Sequence, residues 1–119
     1  MDKKSFGNCS DCPLKPQVRV VGDTNCENDL SKVDVLVLAE APSHEEIKKD
    51  KPLVGKAGKV FREAFDLSGL SKLPYYISNV VLCANIQEGK TFNPPPEAVE
   101  CCKPNWQKLI EITKHRVII

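Results

Sequence analysis

The 119-residue sequence predicts an α/β domain built on a mainly parallel central sheet. Three observations carry that reading. Apolar, β-branched runs at residues 35–39, 75–83 and 115–119 read as strands. Stretches with apolar residues every three or four positions, over 56–70 and 99–113, read as helices. The order strand, helix, strand, helix, strand then sets the strands side by side with helical crossovers, whose usual hand is right.

Residues 1–32 carry glycines, prolines and asparagines around one short apolar stretch at 18–21, and read as loop with one small strand. The run VLVLA at 35–39 is continuous enough to be buried on both faces, and it stops at a carboxylate, Glu40. Ligands in open α/β sheets bind just beyond the carboxyl ends of such strands, which makes Glu40 the first candidate for chemistry. The following HEEIKKDK is expected to be a solvated, mixed-charge loop. Val60, Phe61, Ala64, Phe65 and Leu67 supply the face of the first helix, and Gly69 and Leu70 close it. YYISNVVLC, residues 75–83, reads as the second central strand, with Asn79 out of place inside it. A polar loop with three prolines follows over 84–96. The second helix presents Val99, Cys102, Trp106, Leu109, Ile110 and Thr113, with a kink or restart expected at Pro104. HRVII at 115–119 begins a third strand that leaves an apolar edge, as expected of a fragment of a longer protein or of a chain with a partner on that edge.

A chain of this length buries roughly two thirds of its unfolded surface and supports one core. An apolar fraction of 41% with 28% charged residues excludes a disordered or membrane-spanning class, and no repeat or low-complexity tract is present. The N-terminus has charge without a following apolar segment, so it is no secretory signal, and the cytoplasm is the expected compartment. The net charge of +1 demands no polyanionic partner and excludes none.

Six cysteines are many for a reducing compartment, where short spacings bind metal more often than they form disulfides. Cys9 and Cys12 form a C-x-x-C, Cys83 ends a strand, and Cys101 or Cys102 supplies a fourth thiol. Cys102 shares a helical stripe with Trp106 and reads as a small core residue, which leaves Cys101 freer to bind; Cys26 is left over. Four thiolates suit tetrahedral zinc or an iron-sulfur cluster, and spacing does not choose between them. Without a metal, the C-x-x-C is accidental or a redox pair and the other thiols are core. Glu40 is either an exposed loop charge or a group that polarises water or steadies a developing cation. Asn79 either bonds nearby backbone or reads a nucleobase edge with its paired donor and acceptor. Gly55 and Gly58 match no nucleotide-binding fingerprint, and His44, His115, Glu45 and Glu46 read as surface or packing residues.

Together these residues resemble the N-terminal portion of the iron-sulfur, family 4 branch of the uracil-DNA glycosylases. The family's G-E-A-P-G-x-x-E-D-x-x-G-x-P-F-V-G-x-A-G is similar to A-E-A-P-S-H-E-E-I-K-K-D-K-P-L-V-G-K-A-G at residues 39–58, without a gap. C-S-D-C-P-L at 9–14, N-V-V-L-C at 79–83 and P-P-E-A-V-E-C at 95–101 extend the likeness in order. The resemblance implies a three-layer α/β fold, one partial domain over 1–119, and a structural 4Fe-4S cluster on Cys9, Cys12, Cys83 and Cys101, with 1–32 as its loop-rich N-terminal segment. It also implies a uracil pocket of Ala39, Glu40, Ala41, Leu53 and Asn79 for a base flipped out of DNA. Glu40 and Asn79 would be catalytic, in base-excision repair. The sequence departs from the family at Leu53, where an aromatic stacks on the base, at Ala39, Ser43 and Asp50, where glycines stand, and at Ile47, where an acid stands. The family's C-terminal half, with its histidine-bearing loop, has no counterpart here. The expected function is hydrolysis of the uracil N-glycosidic bond in DNA, single-stranded or uracil-containing, once the remainder of the chain is supplied. The alternative is a non-catalytic module that binds DNA or a replication protein, such as the N-terminal piece of a phage-type DNA polymerase acting in a bacterial host.

Overall fold

A computed structural model describes residues 7–14, 19–26 and 29–119. The architecture is mixed α/β with a mainly parallel central sheet. In chain order the elements are β1 (Asp23–Thr24), β2 (Val35–Ala39), α1 (His44–Lys49), α2 (Lys56–Leu67), β3 (Tyr75–Asn79), β4 (Asn85–Gln87), β5 (Lys90–Phe92), α3 (Pro96–Ile112) and β6 (Val117–Ile118). Single 3-10 turns stand at Cys9–Asp11, Leu30–Lys32 and Leu70–Lys72. The sheet order is β1-β3-β2-β6, with β2 parallel to both β3 and β6 and β1 antiparallel at one edge.

Pleat alternation divides the core between the two faces of this sheet. Val35 and Val37 of β2 and Ile77 of β3 pack with Phe65 of α2, joined by Leu53 and Phe61. Leu36 and Tyr76 face the other way, against Val33 and, from α3, Leu109 and Ile110. A third cluster of Leu14, Val81, Cys83, Ala98 and Cys102 closes the end of the sheet where β3 gives out. The sheet therefore carries a helix on each face, and the register Ala39↔Asn79 puts the last residues of the two central strands side by side.

Several elements differ from the sequence reading, each for a local reason. The β3 ladder ends at Asn79 instead of running to Cys83. Val80 and Val81 donate to the carbonyls of Ala39 and Glu40 at 2.7 and 3.0 Å, and the chain then turns to Arg19 and Val20, whose partners are Cys83 and Leu82. Of the expected small strand at 18–21, Val18 lies outside the described residues. HEEIKKDK is no loop: α1 begins in a capping box between Ser43 and Glu46 and ends at Asp50 in a left-handed conformation. The polar 84–96 loop contains the β4–β5 hairpin, turned by Glu88 and Gly89 at φ of 50° and 77°. In α2 the inward stripe is Gly58, Phe61 and Phe65, while Val60 and Leu67 are 71% and 81% exposed. α3 runs unbroken past Pro104, because the lost hydrogen bond falls between exposed residues, Pro104 and Glu100, where the carbonyl is open to solvent.

Candidate functional site

The carboxyl ends of β2 and β3 border a cleft of about 620 Å³. Its walls include Ala39 and Glu40 after β2, Val80 and Val81 after β3, Asn93 and Pro94 after the hairpin, and Val99 of α3. Glu40 is exposed, and its peptide carbonyl is fixed by Val81 N–H, so the carboxylate leaves a pinned backbone at the cleft's rim. His44 Nε2 meets the carbonyl of Gly89 at 2.9 Å and ties the hairpin tip to the start of α1.

Asn79 lies beside this cleft rather than in its lining. The pleat turns its side chain to the α2 face, the face of Ile77 and Val37, where it is 2% exposed. Its Nδ2 has no hydrogen-bond partner, one of two such buried side-chain atoms among the described residues, the other being Trp106 Nε1. An amide donor stripped of water and left unpaired costs about 1–3 kcal/mol, which marks the position as one that awaits an acceptor. Leu53 packs on that same face, and Ala41 packs against the cysteine-containing cluster. The structure thus brings Ala39 and Glu40 into the cleft, sets Asn79 and Leu53 on the α2 face, and turns Ala41 towards the thiols.

The expected ligand cysteines gather from three segments. Cys9 sits in the first 3-10 turn and Cys12 just after it; the Asn8 N–H donates to the Cys101 carbonyl at 2.8 Å, which joins this turn to α3. Only glycine fits at position 7, since a Cβ there would stand 2.4 Å from the same carbonyl oxygen. The Cys12 thiol neighbours that of Cys101, and Arg19 reaches Cys9 Sγ at 3.4 Å. Cys83 and Cys102 are buried. Burial pushes the thiols of Cys83, Cys101 and Cys102 up, and neighbouring thiols push further, Cys12 acting on all three. The donor set suits a four-thiolate centre in its chemistry. As the side chains stand, though, no three His, Cys, Asp or Glu groups among the described residues are close enough to hold a metal ion.

The sequence reading missed the role of Glu46. It is buried at 6% exposure and binds the backbone of the α1–α2 connection; the signal was the S-x-x-E of Ser43–Glu46, a capping-box signature.

Residues 27–119 match the uracil DNA glycosylase superfamily. The chain belongs to that family. Among similar proteins, type-4 uracil-DNA glycosylases from Pyrobaculum aerophilum and Thermotoga maritima are 33% and 32% identical over 114 residues each, covering 94% and 93% of this chain and 54% and 55% of theirs. The type-4 uracil-DNA glycosylase of Archaeoglobus fulgidus is 33% identical over 88 residues, 74% of this chain and 43% of its own. The chain spans about half the length of these relatives. Among the described residues of this superfamily member, no helix is long and apolar enough to cross a membrane.

Proposed function

We propose that this chain is the part of a uracil-DNA glycosylase that recognises uracil flipped out of DNA and begins hydrolysis of its N-glycosidic bond. The observation that carries the reading is the unpartnered Asn79 amide at the paired ends of β2 and β3, one register position from Glu40. Uracil leaves as an anion, and an amide N–H aimed at its carbonyl strengthens as that charge develops; such a donor is worth about 10²–10³ in kcat. Glu40, exposed at the rim, is suited to orient a water towards the anomeric carbon and to steady positive charge on the sugar. In the same reading Cys9, Cys12, Cys83 and Cys101 hold a 4Fe-4S cluster, with zinc as the alternative. Bound there, the centre would supply cross-linking, fastening the first 3-10 turn to α3 and to the exit of β3.

A second reading has its own observation. Leu53, partly buried against the cluster of Phe65, carries no aromatic ring, so it offers the base no stacking face, and the domain would then bind DNA or a replication protein without cleaving. Release of free uracil from a single-stranded uracil oligonucleotide separates the two. The enzyme reading expects release by the wild type and a loss of about 100-fold in Glu40→Gln. Binding of the strand with no release by the wild type would leave only the binding module.

A further inference from the structure

The connection between α1 and α2 is gripped by two side chains to which the function above gives no part. From one side the Glu46 carboxylate accepts from the N–H groups of Ser43 (3.0 Å), Val54 (3.0 Å) and Gly55 (2.6 Å), and from the Ser43 hydroxyl. From the other, Arg62 donates through Nε to the Leu53 carbonyl and through a terminal nitrogen to the Pro52 carbonyl, both at 2.7 Å, while its second terminal nitrogen pairs with Asp23 at 3.1 Å. Each of the four consecutive residues 52–55 therefore has a backbone atom held by Glu46 or Arg62. Between the grips Leu53 stands at φ +52°, in the left-handed region that branched side chains rarely enter. Gly58 of α2 closes on it from behind: a Cβ there would lie 2.1 Å from the Leu53 carbonyl carbon. A leucine released from these contacts would relax to negative φ, so the surroundings impose the conformation.

The place of this clamp gives it a use. Leu53 packs against the cluster of Val35, Val37, Ile77 and Phe65, and the next positions on that sheet face along β2 and β3 are Ala39 and Asn79. We propose that Glu46 and Arg62 are positioning residues for base recognition: between them they fix residues 52–55 so that Leu53 stands as a preset wall beside the Asn79 amide. The proposal rests on the reading of Asn79 as the base-recognising donor. It adds that selectivity for the base is set by a clamped loop, before any ligand arrives.

The test is binding of the full chain to two single-stranded oligonucleotides by fluorescence anisotropy. One carries 2′-fluorodeoxyuridine, whose electron-withdrawing fluorine slows bond cleavage, and the other 2′-fluorothymidine at the same place. The wild type is expected to prefer the uracil strand. Arg62→Lys keeps the charge beside Asp23 but loses the planar fork that serves both carbonyls, and should lose about tenfold of that preference with binding of the thymine strand unchanged. Preference retained in Arg62→Lys while the melting temperature falls would make the clamp merely structural and overturn the proposal, leaving the reading of Asn79 intact. Should Arg62→Lys fail to fold, Leu53→Gly decides: it relieves the left-handed strain, leaves both grips and removes only the wall, so retained preference there also overturns the proposal. A wild type without preference would instead sink the reading of Asn79, and the clamp's use with it.

Discussion

Asn79 sits where a strand that looks apolar from end to end carries one amide, and that amide's nitrogen is buried with no partner among the described residues. A residue kept for stability would have found an acceptor, since the unmet donor costs about 1–3 kcal/mol. Asn79→Val, which suits a buried strand and removes the unmet group, is therefore expected to leave stability unchanged or raise it by about 1 kcal/mol in urea unfolding. The same variant should lose about 100-fold or more of uracil release. A drop in stability of about 2 kcal/mol would show that the amide has a structural partner after all and would end its reading as a free donor. Its position was legible in the sequence, because a primary amide within YYISNVVLC breaks the apolar pattern. Its direction was not. That depends on the register Ala39↔Asn79 and on which face α2 covers, and one sequence does not settle either.

At the scale of elements, β2, α2, β3 and α3 were readable because each buries a periodic apolar face, and α1 was missed because its one buried residue is a carboxylate. Glu46 is the inward side of a six-residue helix with a single apolar residue, Ile47, so no apolar period announces it. Val60 and Leu67 misled in the opposite sense: apolar residues near the right spacing lie outside the stripe set by Gly58, Phe61 and Phe65. The hairpin escaped because Glu88 occupies a left-handed turn position where asparagine or aspartate would have signalled it. Burial by itself would push the Glu46 carboxyl up, but the hydrogen bonds from Ser43, Val54 and Gly55 together outweigh it and hold it below its ordinary 4.5. The folded state thus binds this proton less readily than the unfolded chain. The stability so gained is whole above the unfolded value and is lost as pH falls through the lowered folded one. Glu46→Gln should cost about 1.5–3 kcal/mol near neutrality, as expected for hydrogen bonds to a charged group. Urea unfolding of the two proteins from pH 7 downwards should show that gap closing below about pH 4.5. A gap constant over the range would mean that the carboxylate's charge contributes nothing.

For the molecule as a whole, the question is what fastens an N-terminal segment with little apolar content to a sheet that ends in loops. For residues 7–14, ahead of the Arg19–Cys83 bridge and β1, the ties among the described residues include the bond from Asn8 to the Cys101 carbonyl, the close fit of Gly7, the contact of Arg19 with Cys9 Sγ and the packing of Leu14 in the cluster of Val81 and Ala98. Thiols raised by burial and by one another are poor as isolated groups, and a bound cationic centre reverses that by favouring thiolate at each. If Cys9, Cys12, Cys83 and Cys101 hold one centre, then its loss should free the segment and lower the melting temperature, and Cys101→Ser should abolish metal content. Cys102→Ser should keep the metal and cost about 1–2 kcal/mol, because its thiol is buried among apolar side chains. Elemental analysis with the visible spectrum decides the rest: iron with sulfide and a brown colour for the cluster, zinc and no colour for the alternative. Metal retained by Cys101→Ser but lost by Cys102→Ser would exchange the two in the ligand set. Metal absent from protein purified without air would leave these thiols as core and remove the fastening from the account.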